Sequence, residues 1–222
     1  TLPARRVAEL LQSYADDLPP GALEGYDLPA GDASVRNRKD IRKAANLLEQ
    51  AGWTVQDGVL RNADGQPLKV NLVISQGGLN VVQNVDAIAE IYARALERLG
   101  IALTGDKVDD AQYTQRVSEL DFDMTPFRRA LSLSPGNEQR LYWGSEGAAT
   151  PGTRNLMGVA SPAVDGLIDA MLASDSHEDF VAATRALDRV PTAGRYVIPI
   201  LSFDVGRIAH AKQLRHPRVL PI

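Results

Sequence analysis

Between Val81 and Val108 the apolar residues change their spacing, and this change limits the possible fold more than any other feature. Val81, Val85, Ile88, Tyr92, Ala95 and Leu99 recur at helical intervals; Gly100 interrupts, and Ile101 to Val108 then reads as a strand. The same switch recurs along the chain. Asn37 is placed to cap a helix, with Asp40 at the third position, Ile41, Ala44, Ala45, Leu48 and Ala51 on one face, and Gly52 as the stop. Runs 53–61 and 68–75 flank Asn62-Ala63-Asp64-Gly65 and predict a hairpin. Asp109 or Asp110 predicts the cap of a helix carrying Tyr113, Val117 and Leu120, and the alternating DFDMTPF predicts a strand. Ser161-Pro162 opens a helix buried through Val164, Leu167, Ile168, Met171 and Leu172. Ser176 with Asp179 opens another, buried through Phe180, Leu187 and Val190. YVIPILSF reads as a strand, with Pro199 marking an edge or bulge. This order predicts an α/β layered domain, a mixed sheet flanked by helices, without internal repeats. Residues 1–36 read as a helix over Val7–Ala15 and a Pro/Gly-rich connector, and residues 37–222 as one domain.

Composition removes whole classes of function. The chain of 222 residues has a net charge of −4 and no run of lysine or arginine, which argues against a nucleic-acid partner. It has no cysteine, so disulfides, thiolate metal sites and cysteine catalysis are excluded. No apolar run approaches the ~20 residues that span a bilayer. The first residue is Thr and no leader-like segment follows, which predicts a mature product or an excised piece.

The chemistry-bearing stretch is LSLSPGNEQRLYWGS, residues 131–145. A phosphate loop needs a Gly-rich pattern ending in Lys-Ser/Thr, and Gly136 stands without a following lysine. A nucleophile elbow needs Gly-x-Ser-x-Gly, and Gly144-Ser145-Glu146-Gly147 has the wrong spacing. None of His177, His210 and His216 is paired in sequence with a serine. The acidic pairs Asp16-Asp17 and Asp109-Asp110 suit helix ends, and Asp121 and Asp123 suit the wet face of a strand. Two readings stay open. Loops 75–78, 134–139 and 152–155 form one wall of a ligand cleft at a strand edge, or they are plain turns.

Several segments, taken in order, carry a resemblance. They are RKAANLLEQAGWTVQDGVLRNADGQPL, LERLGI, VDDAQYTQRVSELDFDM, SLSPGNEQRLYWGS, PGTRNLMGVASPAVDGLI, and AATRALDRV with YVIPI. The chain resembles the family 5 extracellular solute-binding proteins of bacterial ABC importers, which take dipeptides, oligopeptides and nickel chelates. It is most similar to the oligopeptide branch that handles microcin-C-type peptides. The resemblance implies a lobe of the type II periplasmic-binding-protein kind, inserted between the two halves of a first lobe. It implies a periplasmic location, a peptide or peptide-like ligand, an ABC permease of the inner membrane as partner, no cofactor and no catalysis. A lobe by itself is then expected to fold and to bind peptide weakly or not at all. The expected ligand-binding residues are Arg128, Ser132, Ser134, Asn137, Glu138, Arg154 and Asn155. A metal chelate, an opine-like compound or an uncharacterised hydrolase activity are the alternatives. The chain departs from the family in two ways. Members that anchor a peptide amine carry an aspartate shortly before the Pro of the turn, where this chain has Ala130-Leu131-Ser132-Leu133. Arg128 and Arg129 stand where close relatives carry small residues, as either an anion contact or a solvated strand end.

Overall fold

The computed structural model describes residues 2–30, 34, 36–77, 85–129, 134–200, 211, 213 and 215. Two strands of seven residues, β3 (Lys69–Ser75) and β4 (Ala102–Val108), pair in parallel, from Lys69 opposite Ala102 to Ser75 opposite Val108. The helix α3 (Val85–Glu97) lies between them in sequence and packs on β4. Predicted strand 121–127 contributes a single parallel bridge, Leu72 with Met124, on the other side of β3. It is closed by Met124 N to Asn71 O at 2.9 Å and Val73 N to Met124 O at 3.0 Å. β3 is therefore the central strand, and its second half, Leu72 to Ser75, is buried.

The chain reverses twice here, at the predicted turn and at one just before it. β1 (Thr54–Gln56) and β2 (Val59–Arg61) pair across Asp57-Gly58, whose φ angles of 50° and 78° are those of a two-residue turn matched to strand twist. The predicted reversal at Asn62–Gly65 forms as well: Asn62 Oδ1 accepts from the amides of Asp64 and Gln66, Arg61 bridges Pro67 antiparallel, and Leu68 N donates to Leu60 O at 2.9 Å. Beyond this short pairing the run continues as β3 and pairs with β4. Gly100 fastens the hairpin to the sheet. Its carbonyl accepts from Leu60 N at 2.8 Å, its φ is +76°, and a Cβ there would sit 2.7 Å from Leu60 N. Leu60, Leu99 and Ile101 form the small core at this joint.

The capping predictions hold at three helices and fail at a fourth. In α4 (Asp110–Ser118) the side chain of Asp109 accepts from Gln112 N. Ser161 caps α6 (Pro162–Leu172) through Val164 N, and Ser176 caps α7 (His177–Gly194) through Asp179 N. At α2 (Arg38–Gln50), Asn37 is left-handed with φ 33° and makes no side-chain cap; its own amide donates to Ser34 Oγ. Ile41, Ala44 and Leu48 of α2 pack inward as predicted, while Ala45 is exposed. Leu172 is likewise exposed at the end of α6.

The larger core is helical. Leu167, Ile168 and Met171 of α6 interdigitate with Ala183, Ala186, Leu187 and Val190 of α7. Val7 and Leu11 of α1 (Arg5–Gln12) belong to the same cluster. The expected boundary at residue 36 thus marks no break in packing. Arg6 pairs with Asp179, and the guanidinium of the buried Arg189 donates to Ala22 O and lies 4.9 Å from the Tyr26 ring centre. Residues 196–200 are exposed and make no strand, and the rest of the YVIPILSF run lies outside the described residues.

Candidate functional site

Parallel pairing sends the carboxyl ends of β3, β4 and the 121–125 segment to one edge. Asp110, the first residue of α4, ties that edge together: its Oδ1 accepts from Ser75 Oγ and, at 3.1 Å, from Gly77 N. A side chain on Gly77 would collide with the same carboxylate. Thr125 Oγ1 lies 2.8 Å from Tyr113 Oη and donates to Val73 O at 3.2 Å, fixing where the third segment leaves the sheet.

The chain runs from there to Arg128 and Arg129, and alternation along an extended segment separates their fates. Arg128 is exposed. Arg129 turns inward, with its guanidinium carbon 4.0 Å from the Tyr142 ring centre and 5.6 Å from that of Trp143. Both rings belong to α5 (Glu138–Trp143). The Nη2 of Arg129 donates to Gln139 Oε1 at 3.0 Å, while its Nε is buried without a hydrogen-bond partner. Burial lowers the pKa of this guanidinium, against the pull of Tyr142 and Glu138, but an arginine remains charged.

Glu138 completes the arrangement from behind. Its Oε1 accepts from Gly136 N at 3.0 Å and from Gln139 Nε2 at 3.1 Å, and the Gly136 bond is the main reason its carboxyl lies below the ordinary range. Of the expected ligand residues, Ser134 and Asn137 are exposed on the same turn, and Ser132 lies outside the described residues. Arg154 is exposed, with its guanidinium 5.9 Å from the Tyr142 ring centre, so the 152–155 loop reaches α5, the helix that follows the Ser134–Asn137 turn.

Asn155 is turned inward. It is fully buried, its Nδ2 donates to Gly144 O and Val159 O, and its Oδ1 accepts from Val159 N. That amide braces the loop carrying Arg154 rather than facing a ligand, a correction that its sequence position gave no means of seeing. Residues 75–77 also stand apart from the expected single wall, and Gly78 lies outside the described residues. Gly152 N donates to Ser118 O at the end of α4 opposite Asp110, whereas Asp110 holds residues 75–77. Arg129 itself was missed as the buried partner of the pair; the following Tyr142-Trp143 was the available signal.

The other candidate chemistries acquire structural partners. Ser145 Oγ accepts from Ser161 N, and Ser145 N donates to Asp165 Oδ1. Asp121 pairs with Arg116, and Asp123 accepts from Asn71 N, so the two carboxylates serve different partners. His177 opens α7, and His210 and His216 lie outside the described residues. Among the described residues no group of three or more His, Cys, Asp or Glu is arranged to hold a metal, and no helix is long and apolar enough to cross a membrane.

Comparison with known proteins supplies the frame. The chain is 38% identical over 218 residues to a putative binding protein of Brucella suis, covering 98% of this chain and 34% of that one. It is 36% identical over 222 residues to the probable peptide-binding protein YejA of Agrobacterium fabrum, covering 99% and 35%. The chain thus spans about a third of the length of these relatives. Among solved structures it superposes on the oligopeptide-binding protein AppA of Bacillus subtilis, determined with a nonapeptide, at a TM-score of 0.61 and 17% identity over 86% of this chain and 40% of that one. It superposes on NikA of Brucella suis, determined with Fe(III)-EDTA, at a TM-score of 0.53 and 20% identity over 86% and 39%. Both structural likenesses establish the periplasmic-binding-protein fold. The family profile of bacterial extracellular solute-binding proteins, family 5 Middle, matches residues 4–150. With two-thirds of its length under that profile, the chain belongs to family 5 of the bacterial extracellular solute-binding proteins.

Proposed function

We propose that this chain is one ligand-binding lobe of a periplasmic substrate-binding protein, which captures a peptide or peptide-like solute by closing on a second lobe and delivers it to an ABC permease. The observation that carries the reading is the likeness to a protein named as peptide-binding, which runs the full length of this chain and ends at about a third of that protein. The geometry suits the role. Loop 134–139 offers the exposed Ser134 and Asn137, and loop 152–155 brings the exposed Arg154 to the Tyr142 ring. Loops positioned by a packed scaffold are where ligand-binding side chains concentrate. Lobe closure would supply the opposite wall.

The test compares the chain with the full-length protein. Mass spectrometry of the purified full-length protein is expected to find peptides retained from the cell. Calorimetry of this chain alone with the same peptides is expected to give no heat, since half of the site is missing, although the chain melts cooperatively. Micromolar binding by the chain alone overturns the half-site claim. A retained metal chelate or sugar in place of peptide overturns the ligand class.

A further inference from the structure

We propose that Arg129 and Arg154, gathered around the ring of Tyr142, receive a carboxylate of the bound ligand. The inference deepens the peptide-binding reading and rests on it. Among the described residues Arg129 is a half-buried cation with no carboxylate in contact: its one hydrogen bond goes to the neutral amide of Gln139. The arginines on either side of it in the fold differ in kind. Arg116 is held by Asp106 and Asp121, and Arg140 by Asp169. At Arg116 and Arg140 the chain supplies the acid, whereas the buried Arg189 donates to a carbonyl and stacks on the Tyr26 ring, outside the polar loops.

The orientation of Arg129 also looks like preparation for an anion. Stacking on Tyr142 at 4.0 Å fixes the plane of the guanidinium, and the ring recovers part of the desolvation cost. A stacked guanidinium keeps its in-plane edge for bidentate pairing with a carboxylate. Nη2 is steered by Gln139, which Glu138 in turn holds through Nε2, so Glu138 is a positioning residue. Its own Oε1 is taken by Gly136 N and Gln139, and it stands near Arg129 without ion-pair contact. Arg154 brings a second, exposed guanidinium to the same ring, and the exposed Arg128 adds a third positive charge next door. The ligand group that matches this cluster is a carboxylate. A peptide offers one at its C-terminus or on an acidic side chain.

The experiment uses the full-length protein and two sets of alanine-based peptides. One set pairs each free acid with its C-terminal amide; the other, amidated throughout, pairs a central Glu with a central Gln. Titration calorimetry of the wild type is expected to show about tenfold tighter binding or more for one member of a pair, as a hydrogen-bonded charge warrants. A preference for the acid over the amide assigns the main-chain terminus, and a preference for Glu over Gln assigns a side chain. Arg129→Gln is expected to erase that preference, and Arg154→Gln, at an exposed position, to reduce it. Should Arg129→Gln fail to fold, Arg129→Lys keeps the charge but loses the planar edge, and is expected to weaken the preference. Equal binding within both wild-type sets overturns the inference while leaving peptide binding intact. A preference that survives both arginine substitutions overturns it as well. Absence of binding by every peptide overturns this inference and the peptide-binding reading together.

Discussion

The helices α1, α6 and α7 and the sheet of β3 and β4 bury their apolar residues to very different degrees. The helical cluster has eleven buried residues, with Leu11, Val164, Leu167 and Ile168 wholly inaccessible. Among the described residues, the joint between sheet and hairpin has three, β3 adds Leu72, Val73 and Ile74, and neither α2 nor α3 buries a single residue. Leu47, Val55 and Ile91, all in this half, are exposed. The half with the thin core holds its shape by polar ties instead: Asp110 on Ser75 and Gly77, and Arg116 on Asp106, Asp121 and Asn71. A dense core resists local opening, whereas a sheet tied by exposed polar contacts opens more readily. The Arg129–Tyr142 cluster sits between the two, on a segment that leaves the sheet and docks on α5, which packs against α6.

The largest expected difference comes from deleting one leucine on each side. Leu167→Ala should cost about 4 kcal/mol in urea unfolding and Leu60→Ala about 2, because Leu167 is walled by buried side chains while most neighbours of Leu60 are only partly buried and can close in. An equal or reversed ranking would break the contrast. Next, Asn155→Ala should cost about 2 kcal/mol, because it strands the Val159 amide and the carbonyls of Gly144 and Val159 inside the helical half. Hydrogen exchange at Val159 gives the local readout.

The smallest effect is electrostatic and belongs to the sheet. Asn71 first, and then Arg116, hold the Asp106 carboxyl below its ordinary range. A carboxyl depressed by folding stabilises above its unfolded value of about 3.9, and that contribution is lost as pH falls through the lower folded value. Asp106→Asn should therefore lose this small contribution at neutral pH, flatten the acid limb of the stability profile, and converge with the wild type below about pH 4. Salt should shrink the difference, since the group is exposed. A steeper acid limb in the variant would contradict this assignment.

Sequence showed the sheet half poorly and the helical half well, for physical reasons. Ser161-Pro162 and Ser176 with Asp179 fix helix starts within one turn, so α6 and α7 and most of their buried faces were readable. Strand pairing depends on partners distant in the chain. Both turn signals, Asp57-Gly58 and Asn62–Gly65, are used, but nothing local to the run after the second shows that it goes on to pair in parallel with β4. At the site, residue type alone could not separate Arg128 from Arg129, or Arg154 from Asn155. In each pair one side chain faces solvent and the other packs, and which is which depends on Tyr142, Gly144 and Val159.

The seating of α1 has a consequence for the order in which the protein can form. Leu11 is enclosed by side chains from Val159 to Val190, and Arg6 meets Asp179. During synthesis the first helix leaves the ribosome long before its partners exist. At about 5–20 residues per second, it waits roughly ten seconds or more with its apolar stripe uncovered. The hairpin and the β3–α3–β4 unit draw on nearer residues and are free to form in that interval. Of the elements described, the densest core is therefore completed after the sheet half.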